Sequence, residues 1–227
     1  PLFWLAECED ARYFEAFDTT YAWAFMHASG SLNRHEPNLN PVLEQLKLYA
    51  SEGPNTQKLF FTSNHDENSW NGTEYEKYGD MAKALAVFSF TWNGMPMIYS
   101  GQELPNLKRL KFFDKDVIAW DGKYALQEFY KTLITLKKNN SALRTADANV
   151  VTFLLATDNP NVIAYLRKNG NSEVLVLLNM SKQTIRFEIK DQHVTGKYKS
   201  IFGKAENDFT TEKFFEMQPW EYLIYEK

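Results

Sequence analysis

Cysteine occurs once in the 227 residues, as Cys8. A single thiol excludes an internal disulfide and a cysteine-based zinc site, and it leaves reducing and oxidising compartments equally open. Histidine is scarce as well, and His27, His35 and His193 have neither the spacing nor the neighbours of a ligand set, so no metal is expected in this chain. Long apolar runs are missing. The longest, around Ala84 to Trp92, is interrupted by Ser89 and Thr91 and falls well short of the roughly 20 residues that cross a bilayer. No basic run extends beyond Lys137-Lys138, no acidic tail exists, and the net charge of −4 is dispersed. That distribution argues against a nucleic-acid or membrane-surface role and suits a neutral or weakly charged substrate. At Pro1 the sequence enters apolar, strand-like residues with no initiator methionine and no charged leader, the pattern expected of a stretch cut from something longer.

What is present is an ordinary folding composition, 44% hydrophobic and 15% aromatic, enough for one large core or two modest ones. Residues 1–7 read as a short buried strand, because a continuous apolar run of this length suits a parallel sheet. A second strand is expected near 16–20, leading into a helix through Trp23 and Met26 that halts at Gly30. Pro41 suits a first helical position, and Leu43, Leu46 and Tyr49 repeat at helical spacing up to Gly53-Pro54. The strand 58–63 follows, then a buried helix over 78–92 stopped by Asn93-Gly94 and Pro96. Met97-Ile98-Tyr99-Ser100 reads as a further buried strand, and Leu126, Phe129, Tyr130, Leu133 and Leu136 line one face of a helix running to about Lys138. Strand and helix alternating at this period describe a parallel α/β arrangement.

Near 141–149 the pattern changes to short strand-like runs at 150–156, 162–167, 174–179, 185–189, 198–202 and 222–225, parted by turns such as Asn159-Pro160 and Asn169-Gly170-Asn171. Ile185, Phe187 and Ile189 alternate strictly with Arg186 and Glu188, as in a strand buried on one face. These runs are expected to form a small antiparallel sandwich.

Two strands end on ionisable groups. Phe60-Phe61-Thr62-Ser63-Asn64-His65-Asp66 stops on an imidazole and a carboxylate, and Leu2-Phe3-Trp4-Leu5-Ala6-Glu7 stops on an acid. Parallel strands present such residues on one rim, and two acids facing one cleft suggest glycoside chemistry. Taken alone, Glu7 reads more readily as a solvated loop glutamate like Glu9 or Asp10, and His65-Asp66 as a turn or capping pair.

Those two stretches, followed by Gly94-Met95-Pro96-Met97-Ile98-Tyr99-Ser100-Gly101-Gln102-Glu103 and an antiparallel C-terminal region, resemble the α-amylase superfamily, glycoside hydrolase family 13. The resemblance implies a partial TIM (β/α)8 barrel, about strands five to eight, over residues 1–143, and a C-terminal antiparallel β-sandwich over 144–227. It implies that Glu7 is the acid/base and Asp66 a third carboxylate gripping sugar hydroxyls, with His65 donating a hydrogen bond to the same sugar. Asn68 and Trp70 are candidates for the cleft lining, the indole offering an apolar face to a pyranose ring; packing is an equal reading for Trp70. Tyr99 and Glu103 are assigned no chemistry, and Asp18, a candidate end of the sixth strand, is read as structural. The family's arginine and nucleophilic aspartate form an Arg-X-Asp motif, and this sequence contains none. The resemblance assigns no cofactor to these residues and puts calcium, where the family carries it, in the N-terminal part outside this sequence.

The expectation is therefore part of an α-amylase-type retaining glycosidase acting on α-glucosidic bonds of starch, maltodextrin or related α-glucans, inactive by itself. A transglycosylase of the same family is the alternative reading. A non-catalytic carbohydrate-binding or assembly module is the reading from another class. Four barrel strands cannot close, so the expected partners are an α-glucan, the missing N-terminal half, or a second copy paired through the exposed half-barrel.

Overall fold

In the computed structural model, which describes residues 2–33, 38–53, 56–203, 205–211 and 213–227, the first half of the chain builds a parallel sheet in sequence order. Its strands are β1 (Leu5–Ala6), β2 (Thr19–Tyr21), β3 (Lys58–Phe60) and β4 (Met95–Pro96). Leu5 pairs with Thr19, Thr20 with Lys58, and Leu59 with Met95, all parallel. Each crossover carries helix: a 3-10 turn (Ala11–Glu15), then α1 (Trp23–Leu32) and α2 (Asn40–Ser51), then α3 (Glu74–Tyr78) and α4 (Ala82–Thr91). The amphipathic α5 (Gln127–Asn139) closes this half, burying Tyr130, Leu133 and Leu136.

Local chemistry explains several boundaries. α2 starts with Pro41 in its first turn, where a missing N–H costs nothing. α3 opens on a capping box in which Thr73 and Glu76 each satisfy the other's backbone amide. Gly94 lies so close to β3 that an added Cβ would stand 2.6 Å from the Lys58 carbonyl oxygen and from the Phe60 ring, which reserves the position for glycine. The Gly94 carbonyl in turn accepts from Lys137 Nζ at 2.9 Å and Thr145 Oγ1 at 3.1 Å, tying α5 to the start of β4.

The second half forms a six-stranded antiparallel sheet, ordered β10-β9-β12-β7-β6-β5, faced by the pair β11-β8. The strands are β5 (Val151–Leu154), β6 (Val162–Asn169), β7 (Ser172–Asn179), β8 (Ile185–Glu188), β9 (Lys197–Ser200), β10 (Glu206–Asp208), β11 (Phe214–Met217) and β12 (Tyr222–Glu226). β6 and β7 are buried on both faces over residues 162–166 and 174–178, which accounts for the unbroken apolar runs there. Ile163, Tyr165, Val176 and Leu178 pack with Phe60, Phe88 and Leu133 of the first half. Ala164, Leu166, Leu175 and Leu177 pack with Ile185, Phe187 and Met217 beneath the two-stranded sheet. The first core is continuous across the two halves, and Thr91 Oγ1 and Tyr165 Oη lie 2.6 Å apart within it.

Several expectations need correction. Residues 2–5 are not buried: Leu2 is 78% exposed and Trp4 55%, because β1 pairs only with β2 and no neighbour covers its other edge among the described residues. Residues 61–63 and 97–100 extend beyond the ladder, which at the β4 edge stops at Pro96, a residue without an N–H. The helix expected over 78–92 is broken by Gly79, and the 3-10 turn Gly79–Met81 separates α3 from α4. α1 runs through Gly30 to Leu32. β10 and β11 were not foreseen. Pro1, His35 and Pro54 lie outside the described residues.

Candidate functional site

Parallel pairing puts the C-terminal ends of β1 to β4 on one rim, and Glu7, Tyr21, His65 and Asp66 stand on or just beyond those ends. Donor atoms of Glu7, His65 and Asp66 all lie within 4.8 Å of one another. Fifty-eight positions of chain are bridged by two parallel registers, since β1 is linked to β3 only through β2. His65 Nε2 is 3.5 Å from Asp66 Oδ1. Glu7 and His65 are exposed and Asp66 half-buried, and Phe3, Trp4 and Leu5 beside Glu7 face outward themselves. A divalent cation would also find three ligands at this spacing. The expectation of no metal considered only His27, His35 and His193.

The end of β3 is fixed by the turn that follows it. Asn64 Oδ1 accepts from the Glu67 amide at 2.7 Å, and the Asn64 carbonyl from the Asn68 amide at 2.9 Å, so the segment that follows β3 turns at Asn64 into a short π-helix (Glu67–Asn71). The buried Glu67 is paired with Lys77 at 3.0 Å and accepts from Asn71 Nδ2 at 2.9 Å. This anchoring leaves His65 and Asp66 projecting from a rigid base.

Tyr21 forms the floor. Its ring stacks on Trp23 at 5.2 Å and meets Phe61 edge-on at 5.1 Å. Burial raises its phenol above the ordinary value, and the nearby Glu7 and Asp66 charges push it further the same way. The phenol therefore stays protonated beside the two acids. Sequence reasoning missed Tyr21, although its place at the end of β2, directly after the Ala6–Thr20 pair that precedes Glu7, is the signal that would have found it.

Asn68 is buried, and its amide is directed at a neighbouring loop: Oδ1 accepts from the Leu110 amide at 2.8 Å and Nδ2 donates to the Lys108 carbonyl at 3.3 Å. Trp70 is 57% exposed and lies 5.2 Å from Phe112 and 6.0 Å from Phe113. Tyr99 and Glu103 belong to a turn, in which Tyr99 N donates to Gln102 Oε1 at 2.6 Å and Gly101 N to Glu103 Oε2 at 3.1 Å. Gln102 is buried and donates to Thr62 Oγ1 at 2.7 Å and Glu74 Oε1 at 2.9 Å, and burial raises the Glu74 carboxyl.

Asp18 precedes β2, on the rim opposite Glu7, and its Oδ2 accepts from the Trp4 amide at 2.7 Å. It cannot face the same cleft. Glu9 is not a solvated glutamate: both its oxygens lie 3.0 Å from the Ala24 amide and it also accepts from Tyr49 Oη. It caps α1, whose N-cap residue Ala22 has no side chain able to do so. His27 stacks against Trp23 at 6.1 Å, and His193 pairs with Asp191 at 2.6 Å far along the chain.

Residues 151–224 match the family model described as maltogenic amylase, C-terminal domain. Over 110 residues the chain is 34% identical to a cyclomaltodextrinase of Geobacillus thermopakistaniensis, covering 46% of this chain and 18% of that protein. It is 29% identical over 164 residues to the alpha-amylase MalA of Haloarcula japonica, covering 68% of this chain and 23% of that protein. The solved maltogenic alpha-amylase AmyB of Thermotoga neapolitana superposes with a TM-score of 0.85 at 19% identity, over 99% of this chain and 54% of that one. An alpha-amylase from Lactobacillus plantarum gives 0.79 at 18% identity over 99% of this chain and 55% of its own. The fold is thus shared with α-amylases, and the chain spans about half the length of those structures.

Proposed function

We propose, from the match of residues 151–224 to the family model described as maltogenic amylase, C-terminal domain, that the chain is the C-terminal half of an α-amylase-type retaining glycosidase acting on α-glucosidic bonds. In this reading the sheet β1 to β4 is the last half of a (β/α)8 barrel over residues 1–143, and 144–227 are the C-terminal β-sandwich. The substrate is starch, maltodextrin or a related α-glucan, the class to which the names of the relatives point.

The observation that carries the reading is the convergence of Glu7, His65 and Asp66 within 4.8 Å at the carboxyl ends of parallel strands, the face on which barrel enzymes build their sites. Glu7 protonates the departing glycosidic oxygen and afterwards takes a proton from the attacking water. Asp66 grips ring hydroxyls, and its hold strengthens as the ring flattens toward an oxocarbenium ion. His65, exposed beside it, donates to the same sugar. Tyr21 supplies a flat protonated floor, Trp70 an apolar face, and Asn68 acts through the loop it holds. The nucleophilic carboxylate comes from the N-terminal half of the barrel, so the chain by itself forms no glycosyl-enzyme and turns nothing over.

The test is Glu7→Gln and Asp66→Asn in the complete enzyme. Loss of the acid/base lowers maltoheptaose turnover by about 10² to 10⁴-fold, and leaving groups that need no protonation are affected far less. Undiminished maltoheptaose turnover by Glu7→Gln would sink the assignment.

A further inference from the structure

Thr62 stands just past β3 and shortly before His65, Gln102 in the turn beyond β4, Glu74 at the first position of α3 and Tyr130 on α5. These four side chains meet in the interior, each no more than 5% exposed. Gln102 Nε2 donates to Thr62 Oγ1 at 2.7 Å and to Glu74 Oε1 at 2.9 Å, with Tyr130 Oη 3.4 Å away. Gln102 Oε1 accepts from the Tyr99 amide at 2.6 Å, which fixes the side chain so that its NH2 end is the one turned toward Thr62 and Glu74. Gln102 thus joins the ends of two neighbouring parallel strands, and Glu74 supplies the acceptor that holds it there.

A carboxyl is an expensive group to bury in this position. Glu74 Oε2 has no hydrogen-bond partner among the described residues, and Lys77, the base on the same helix, is ion-paired with Glu67. Burial raises the Glu74 carboxyl above its ordinary 4.5, against smaller opposing influences from Thr62, Gln102 and Lys77. The same interior raises the phenols of Tyr75 and Tyr130. An apolar side chain of similar size would fill the space without this cost. What the carboxyl offers instead is an oxygen aimed at Gln102.

We propose that Glu74 is a positioning residue for the acid site: through Gln102 it holds Thr62, and so sets where the segment 62–66 presents His65 and Asp66. That segment is pinned at two points, at Thr62 by this clamp and at Asn64, whose Oδ1 accepts from the Glu67 amide. The proposal rests on the glycosidase reading for what Asp66 does, whereas the clamp lies wholly within this chain. A grip that strengthens in the transition state is sensitive to small displacements, and its loss appears in kcat rather than in KM.

The experiment compares Glu74→Gln, Glu74→Leu and Thr62→Val. Glutamine keeps the shape and the acceptor oxygen without a charge, leucine fills the space without an acceptor, and valine removes the hydroxyl at the other end of the clamp. In the 227-residue chain the NMR signals of the His65 ring and the Asp66 amide are followed, with urea unfolding as the measure of stability; in the complete enzyme, kcat and KM for maltoheptaose are measured. Glu74→Leu and Thr62→Val are expected to shift both signals and to lower kcat by about tenfold to a hundredfold, with KM and the urea midpoint little changed. Glu74→Gln is expected to retain the wild-type signals and kcat. Thr62→Val decides alone if Glu74→Leu does not fold. Shifted signals beside a wild-type enzyme that leaves maltoheptaose intact support the clamp while the glycosidase reading fails. Signals unmoved by Glu74→Leu and Thr62→Val overturn the clamp, as does a loss with Glu74→Gln equal to that with Glu74→Leu. Signals that move while kcat is unchanged overturn the positioning role and leave the glycosidase reading standing.

Discussion

Asn68 Oδ1 accepts a hydrogen bond from the Leu110 amide at 2.8 Å, across 42 positions of sequence. The bond joins the helical turn that carries His65 and Asp66 to the loop that carries Phe112 and Phe113. A residue that looks like a cleft-lining amide in the sequence is, in the fold, the pin between two loops.

Replacing Asn68 by Ala removes the acceptor of the half-buried Leu110 amide, at a cost of about 0.5–1.5 kcal/mol, while the Lys108 carbonyl keeps its bond from Asn106 Nδ2. Amide exchange at Leu110 is expected to accelerate by tenfold or more, with weaker maltoheptaose binding and an intact far-UV spectrum. Unchanged exchange at Leu110 would contradict the role of Asn68 as a pin.

The same loop should survive acid. The Arg109 guanidinium holds the Glu76 carboxyl down to about 2, from an ordinary 4.5, and Lys108 holds Asp116 at about 2, from 3.8. A carboxyl depressed in the folded state contributes fully above its unfolded value and is lost only as pH falls through the folded one. Trp70 emission is therefore expected to stay constant from neutrality to about pH 4 and to change between about pH 3 and 2. Glu76→Gln removes one of the two tethers at every pH, and an identical acid profile in that variant would count against the assignment.

Lys137 gives the opposite region of the pH scale. Burial, with Arg167 nearby, lowers its ammonium to about 7 from 10.5, while its Nζ donates to the Gly94 carbonyl. The unfolded chain binds the extra proton between those values, so stability rises with pH across that window and falls as pH drops toward 7. Urea midpoints are expected to increase between about pH 7 and 9, equivalent to about 1–2 kcal/mol, and Lys137→Met should flatten the dependence. A flat wild-type profile would refute it.

Leu2, Phe3 and Trp4 stand exposed just ahead of β1, whose outer edge is unpaired among the described residues, a surface that recruits another chain. Sedimentation is expected to show self-association at high concentration, suppressed when the N-terminal half of the barrel is present or when Leu2 and Phe3 are changed to Ser. A clean monomer at every concentration would contradict this.

Glu7 and the His65-Asp66 pair were legible because apolar runs ending on ionisable groups mark the C-terminal ends of parallel strands, whatever the fold around them. β6 and β7 were legible for the same reason of pattern, since burial on both faces leaves no alternation to misread. The exposure of Leu2 to Leu5 was not, because an apolar strand reads identically whether its neighbour belongs to the same segment or not. Phe112 and Phe113 stand in an aperiodic, charged stretch, where two aromatic side chains carry no signal of where they point. Asp18 was open to misplacement by a strand boundary three residues off, which moves a side chain from one rim of a parallel sheet to the other. Glu9 looked solvated because its partners, Ala24 and Tyr49, are 15 and 40 positions away.

The central claim is that this chain supplies Glu7 and Asp66 of a three-carboxylate site and lacks the third. It is tested most directly by maltoheptaose hydrolysis with the purified chain alone and mixed with a separately produced N-terminal half-barrel bearing the Arg-X-Asp strand end. The account predicts no turnover by the chain alone, turnover on mixing, and loss of that turnover with Glu7→Gln. Hydrolysis by the chain alone that disappears with Glu7→Gln would contradict it.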